Sequence, residues 1–132
     1  MHSNPDGTAD DTRTVLTLVT GASARAREAA IAASLSDLHE DGTQAIILEG
    51  LASGTSPLDD LPAGPSVARI APGCLCCTGN LVLRVTLNRL LRRRPSRIFI
   101  GVADSEHLDQ LRSWLHSEPY DQLLRLTSDL NA

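Results

Sequence analysis

The sequence predicts a three-layer α/β sandwich, with helices on both sides of a small, mostly parallel sheet of about four strands. Short segments that are apolar at both odd and even positions are typical of strands buried on both faces of a parallel sheet. Longer segments with apolar residues at helical spacing follow these strands in alternation. The chain has 132 residues, which is enough for one domain and too few for two ordinary ones.

The first half of the chain reads as a strand, a glycine turn and a helix. The segment Thr14–Thr20 is β-branched and apolar, and it ends at Gly21. An alanine-rich segment over residues 23–40 has apolar residues at helical spacing, and Gly42 marks its end. A second buried strand is predicted over residues 44–48. This order is the beginning of a βαβ unit.

The second half begins with a long loop. Residues 50–65 are rich in glycine, serine and proline, and structureless loops of this length are usually functional or mobile. A brief strand is predicted over residues 67–70 and an amphipathic helix over residues 81–94, which Pro95 ends. A further apolar strand follows over residues 97–102.

The last part of the sequence is predicted to be helical. Asp104 or Ser105 can cap a helix that carries Leu108 and Leu111 at helical spacing, and Pro119 breaks this helix. We expect one more helix over residues 120–130.

Ligands of such sheets bind at the carboxyl ends of the strands. Gly21 follows the first predicted strand, Glu49 follows the second and the cysteines follow the third. Residues 102–105 come at the end of the fourth strand. We therefore expect these four groups to converge at one edge of the sheet.

Residues 1–12 are polar and have neither the positively charged nor the apolar part of a secretory signal. We expect a disordered tail over residues 1–12, one domain over residues 13–132 and a cytoplasmic protein. The formal net charge of −4 argues against a dedicated nucleic-acid-binding protein. No stretch approaches the ~20 apolar residues of a membrane-spanning helix, so neither nucleic acid nor a membrane is an expected partner.

All three cysteines lie within four positions, as Cys74, Cys76 and Cys77, directly before a predicted helix. Thiolates are soft ligands that suit zinc and related ions, and the positive end of the following helix favours the deprotonated form. Three sulfur ligands leave one tetrahedral position open, which suits metal exchange. The motif therefore predicts a metal site.

Two other interpretations of the cysteines remain: a redox-active set of thiols, and three small buried apolar side chains. A fourth metal ligand can come from several residues, each of which is more often an ordinary surface or capping residue. The candidates for this ligand are Glu49, His39, Asp59 and His107.

The segment from Gly73 to Thr78 reads Gly-Cys-Leu-Cys-Cys-Thr, and a helix with leucines at regular spacing follows. It resembles the Gly-Cys-Ile/Leu-Cys-Cys signature of the CobW-type metallochaperone GTPases. The resemblance extends over residues 14–120, and its specificity rests almost entirely on the cysteine motif. It implies a P-loop-NTPase-like fold, truncated to the N-terminal half of the family's G domain, and a zinc or cobalt ion bound by the cysteines.

The phosphate-binding loop of that family departs from its pattern in this sequence. Such a loop requires Gly-x-x-x-x-Gly-Lys-Ser/Thr, but after Gly21 the second glycine is Ala26, the lysine is Arg27 and the hydroxyl residue is Glu28. Glutamate brings negative charge to the position that holds magnesium, so we expect neither tight Mg-GTP binding nor GTP hydrolysis. A residual phosphate site at Gly21, Arg25 and Arg27 remains an alternative to a plain strand-to-helix turn.

Six arginines occur between Arg84 and Arg97, three of them in succession at the end of a predicted helix. Cations at a helix C-terminus interact favourably with the helix dipole, so a solvated polar face and cap explains most of this run. An acidic protein partner is the second interpretation, and RNA is the last.

The cysteine motif together with the resemblance to the CobW-type family implies a cytoplasmic metal-binding pseudo-GTPase that acts in metal homeostasis or delivery. Its partners would be the metal ion and a metal-recipient protein or full-length homologue. One alternative is an active GTP-binding metallochaperone with an unorthodox phosphate loop, and a second is a thiol redox or sensor module. The small sheet also leaves a homodimer open, because another chain can cover an exposed edge strand.

Overall fold

A six-stranded parallel sheet lies at the centre of the computed structural model. The strand order is β3-β2-β4-β1-β5, and β6 also pairs with β1. The strands are β1 (Thr14–Thr20), β2 (Gln44–Glu49), β3 (Ser66–Ile70), β4 (Arg97–Gly101), β5 (Leu124–Leu126) and β6 (Leu130–Asn131). The helices are α1 (Ala24–Asp37), α2 (Leu81–Leu91), α3 (Leu108–Leu115) and α4 (Tyr120–Leu123). The structure describes residues 13–37, 43–50, 58, 66–70, 81–103 and 108–132.

The α/β class and the parallel sheet are confirmed, and the first four strands lie within one residue of their predicted bounds. The predicted tail over residues 1–12, most of the long loop and the cap at Asp104 or Ser105 lie outside the described residues. Among the helices that the structure describes, none is both long enough and apolar enough to cross a bilayer.

Side chains alternate between the two faces of the sheet along each strand, so each strand contributes apolar residues to both faces. Helices cover both of these faces. On one face, Leu16 and Leu18 of β1 belong to the larger apolar cluster, which α2 and α3 complete. On the other face, Val19 packs in a smaller cluster with Ile31 of α1 and with Phe99 of β4. The protein therefore has three layers, with α1 alone forming one of them among the described helices.

The start of α1 follows from its capping residue. The backbone N–H of Ala26 donates to Ser23 Oγ at 3.1 Å, and the N–H of Arg27 donates to the Ser23 carbonyl at 3.0 Å. The Ser23 hydroxyl thus satisfies an N–H group that the first turn of a helix leaves without an intrahelical partner, and its carbonyl accepts the first bond of the helix.

The prediction of a helix over residues 120–130 is wrong. The helix α4 stops at Leu123, and the chain then forms β5 and β6 beside β1. Leu124 pairs with Thr14 and Leu126 with Leu16, which satisfies the backbone groups on this side of β1. These two added strands also explain why the sheet exceeds the predicted four.

Between β5 and β6 the chain leaves the strand path for residues 127–129, and α3 holds this break in place. Arg112 Nη2 donates to the Thr127 carbonyl and to Asp129 Oδ1, each at 2.6 Å. The hydroxyls of Thr17 and Thr127 are hydrogen-bonded at 2.7 Å. The break therefore returns the chain to β1 at a defined position, where Leu130 pairs with Val19.

The helix α2 ends at Leu91, earlier than predicted. Arg93 and Arg94 form a closing turn, in which the Arg94 N–H donates to the Leu91 carbonyl at 3.0 Å. Arg94 has a φ of 50°, a left-handed conformation that is typical of a helix C-terminus but usually taken by glycine. Pro95 then prevents the helix from continuing.

Candidate functional site

The carboxyl ends of β1, β2, β3 and β4 meet at one edge of the sheet. The N–H of Gly50 donates to the Ile70 carbonyl at 2.7 Å, and the N–H of Val102 donates to the Val19 carbonyl at 2.8 Å. Gly21, Glu49 and residues 102–103 therefore lie at the same edge, as the strand order of the sequence predicts. The cysteine segment begins directly after Ile70, but Cys74, Cys76 and Cys77 lie outside the described residues.

Glu49 provides a fixed carboxylate at this edge. It is the last residue of β2 and is 5% exposed. Because β2 lies beside β4, its side chain reaches the chain that follows β4, and Oε1 accepts a hydrogen bond from the Ala103 N–H at 2.8 Å. A buried carboxylate held in this way has a defined orientation, which is what a metal ligand requires.

Arg27, where a phosphate-binding loop would require a lysine, turns back onto the loop that precedes its own helix. Its Nη1 donates to the Gly21 carbonyl at 2.9 Å, and the residue is 6% exposed. A phosphate-binding lysine reaches outward to its ligand. The guanidinium of Arg27 instead satisfies a carbonyl within the protein, whereas Arg25 is exposed on the first turn of α1.

Glu28, where a phosphate-binding loop would require a hydroxyl residue, is paired with Arg69. The guanidinium of Arg69 donates through Nη1 to Oε2 at 3.2 Å and through Nη2 to Oε1 at 3.3 Å. This bidentate pair joins α1 to the strand β3, and the carboxylate side is nearly buried. Sequence reasoning missed this partner, although an arginine inside the short apolar strand 67–70 was an available signal.

The end of β6 lies beside the end of β1, and Ala132, which follows β6, packs directly against Gly21. The Ala132 N–H donates to the Thr20 carbonyl at 2.7 Å, and Thr20 Oγ1 is hydrogen-bonded to Asn131 Oδ1 at 2.5 Å. A Cβ atom placed on Gly21 would lie 2.7 Å from Ala132 Cβ and 3.2 Å from Arg27 Cγ. The glycine is therefore required by packing within the chain, a role that the sequence did not indicate.

Among the residues that the structure describes, no three His, Cys, Asp or Glu side chains form a group able to hold a metal ion. Of the predicted ligands, only Glu49 is described, since the cysteines and the candidates His39, Asp59 and His107 fall in the remaining segments. The edge of the sheet where the strands end thus has a fixed carboxylate, a turn closed by Arg27 and the point at which the cysteine segment begins. No family model, curated protein or solved structure matches the chain.

Proposed function

We propose that the protein is a cytoplasmic metal-binding pseudo-GTPase that resembles the CobW-type family and acts in metal homeostasis or delivery. Cys74, Cys76 and Cys77 would bind zinc or cobalt and pass it to a recipient protein or a full-length homologue. The observation that carries the pseudo-GTPase part of the proposal is the hydrogen bond from Arg27 to the Gly21 carbonyl, because it closes the turn that a phosphate-binding loop would leave open.

The position of Glu49 supports metal binding by the cysteines. In the register of the sheet, Glu49 lies beside Ile70, the last residue before the cysteine segment. Cys74 is four residues further along, which is at most about 14 Å of extended chain. A segment that starts next to the Glu49 carboxylate can therefore fold back onto it, and three thiolates with one carboxylate complete a tetrahedral shell.

The contacts around the phosphate turn support the loss of GTP binding. A polyphosphate at this turn would have to displace the Arg27 guanidinium from the Gly21 carbonyl and move Ala132 away from Gly21. It would also meet the Glu28 carboxylate, which is already held by Arg69. Each change removes a contact that stabilises the folded chain, so Mg-GTP forms no part of the proposed function.

Elemental analysis of protein purified under reducing conditions tests the metal site. We expect about one zinc or cobalt ion per chain in the wild type and none in a Cys74→Ser, Cys76→Ser, Cys77→Ser triple variant. Titration with Co²⁺ provides a second readout, since cobalt bound by thiolates in a tetrahedral site absorbs strongly in the visible range. Equal metal content in wild type and triple variant would refute the proposal.

Titration with fluorescently labelled GTP and magnesium separates the pseudo-GTPase from an active GTPase. We expect no saturable binding at micromolar concentrations by either the wild type or Arg27→Ala, whose turn is no longer closed by the guanidinium. Micromolar binding by the wild type would contradict the pseudo-GTPase and favour the alternative of an active GTPase.

A further inference from the structure

A cavity of about 280 Å³ opens at the edge of the sheet where the strands begin. It lies at the opposite end of β1 from the turn at Gly21. The strand β1 has seven residues, so the two ends are roughly 20 Å apart at the usual rise per strand residue. The cavity lies between the start of β1, the end of α2 and α4. Its described lining consists of Arg13, Thr14, Leu91, Arg94, Gln122 and Leu123.

Two arginines give this cavity a positive charge, and no acidic side chain occurs in its described lining. Arg13 Nη1 donates to the Asp121 carbonyl at 3.5 Å, which ties this side chain to α4 across the cavity. A guanidinium presents five donors in a planar fork that matches the oxygens of a phosphate group. Arg13 and Arg94 together can therefore bind a doubly charged anion.

The backbone of Arg94 favours a role for its side chain. Its φ of 50° disfavours any residue with a Cβ atom, and glycine or asparagine is the usual residue at this place after a helix. Non-glycine residues in this conformation occur at helix ends and also cluster at active sites and ligand-binding sites. The side chain of Arg94 is exposed and lines the cavity.

The remaining walls are partly apolar. Leu91 forms one side, and Leu123, which is 43% exposed, forms another. The hydroxyl of Thr14 is buried and donates to the Pro95 carbonyl at 2.7 Å. The volume is near the lower limit for small-molecule pockets, so a ligand would have few non-hydrogen atoms.

We propose that this cavity binds a small phosphate-bearing molecule with a short apolar group. The phosphate contacts the guanidinium groups of Arg13 and Arg94, and the apolar group packs on Leu91 and Leu123. The site is separate from the cysteine segment and does not depend on the metal-binding function. It also assigns a role to one member of the arginine run that the metal site leaves unexplained.

Isothermal titration of the full chain with n-butyl phosphate, at constant ionic strength, tests this site. The wild type is expected to bind one molecule saturably, and more tightly than it binds inorganic phosphate or butyrate. Inorganic phosphate lacks the apolar group, and butyrate has a single charge. Equal affinity for butyl phosphate and inorganic phosphate, or no saturable binding of butyl phosphate, would overturn the proposal.

The variant Arg94→Gly distinguishes binding from folding. Glycine suits the left-handed backbone, so the thermal midpoint should stay unchanged or rise, while the affinity for butyl phosphate falls about tenfold through loss of a charge-assisted hydrogen bond. Arg92→Ala is the matched control, since Arg92 is an exposed arginine of the same run outside the described lining. The affinity of Arg92→Ala should remain within about twofold of the wild type, because Arg92 does not line the cavity and its charge is screened by solvent.

Two results with these variants would overturn the site. The first is an affinity of Arg94→Gly equal to that of the wild type. The second is an equal loss in Arg92→Ala and Arg94→Gly, which would mean that diffuse positive charge attracts the anion. Arg13→Ala provides an independent variant, with the same expected loss as Arg94→Gly.

Discussion

Gly21 is surrounded by the chain's own residues on the sides where a side chain would project. Ala132 and Arg27 occupy that space, and the same two residues are hydrogen-bonded to Thr20 and Gly21. The turn after β1 is therefore a packed junction between the first strand, α1 and the residues after β6. Its glycine would be needed even in a protein that never meets a nucleotide.

The variant Gly21→Ala is expected to lower the free energy of unfolding by about 1 kcal/mol, because the new methyl group overpacks against Ala132. This value is at the lower end of the range for overpacking, since the Ala132 side chain is small and near the surface. Urea denaturation measures the change. Removing the Cβ atom of Ala132 should restore most of the loss, so the double variant with Ala132→Gly should be more stable than Gly21→Ala alone. Additive losses in the double variant would contradict this account.

Tyr120 is the only tyrosine in the chain, and its hydroxyl is hydrogen-bonded to Asn88 Oδ1 at 2.8 Å. Burial raises the pKa of Tyr120 above its ordinary value of 10.0, while the positive charge of Arg84 opposes this shift. The folded state therefore binds the phenolic proton more tightly than the unfolded state. The shifted pKa of Tyr120 therefore adds to the free energy of unfolding. This contribution is complete below about pH 10 and declines as the pH rises through the pKa of the folded state.

Ultraviolet absorbance of the tyrosinate follows this titration directly. The folded protein should titrate at a higher pH than the urea-unfolded chain, and Arg84→Ala should move the folded titration higher still, because it removes a nearby positive charge. Arg89→Ala is a control on the same helix, since Arg89 does not contribute to the shift. Identical titrations of folded and unfolded protein would exclude the proposed burial effect.

At the scale of elements, the strands β5 and β6 depend on α3. Arg112 spans the break between them through its bonds to Thr127 and Asp129. Both partners of the ion pair are about one-quarter exposed, so solvent screens much of the charge interaction. The bond to the backbone carbonyl therefore contributes the larger share of the stabilisation.

Arg112→Ala should reduce the free energy of unfolding by about 1–2 kcal/mol, the usual effect of losing hydrogen bonds from a charged group at a partly exposed site. Hydrogen exchange should show the loss most clearly at the Thr127 and Ala132 amides. These two amides donate to the carbonyls of Leu16 and Thr20 in β1. Asp129→Asn keeps the carbonyl bond and should have a smaller effect. Equal effects of the two substitutions would place the main interaction in the ion pair instead.

The same elements explain what the sequence could predict. The strands β1, β2 and β4 are buried on both faces, and their continuous apolar segments were recognisable without any partner. The strands β5 and β6 are three and two residues long, too short for a periodic pattern, and they form because β1 offers backbone groups to pair with. Leucines at positions 123, 124 and 126 fit a helix equally well, so pairing with β1 decided the outcome.

The candidate site could likewise be predicted only in part from the sequence. Gly21 and Glu49 meet at one edge because parallel strands place their carboxyl ends together, which strand order alone implies. Local patterns did not reveal which residues contact the first turn of α1 and the end of β1. Arg69 stood out inside an apolar strand but lies 41 residues from its partner Glu28, and Asn131 lies 111 residues from Thr20. Contacts at such separations leave no local pattern in the sequence.

For the whole molecule, binding of the proposed metal should stabilise the fold. A ligand at one hundred times its dissociation constant adds about 2.7 kcal/mol if it binds only the folded state. Zinc added to reduced, metal-free protein should therefore raise the thermal midpoint followed by circular dichroism. The triple cysteine variant is the control, and a zinc-dependent rise of the same size in this variant would place the ion elsewhere.

The two helical layers bury unequal amounts of apolar surface. This difference determines which layer unfolds locally first. The layer that contains α1 rests on the smaller apolar cluster, and the alanines of α1 bury little surface. Local opening has the lowest free energy where few apolar contacts must be broken, so α1 should detach while α2, α3 and the sheet remain folded. Among the described helices, α1 should then be the first that a protease cleaves during brief exposure under native conditions, as mass spectrometry of the products would show.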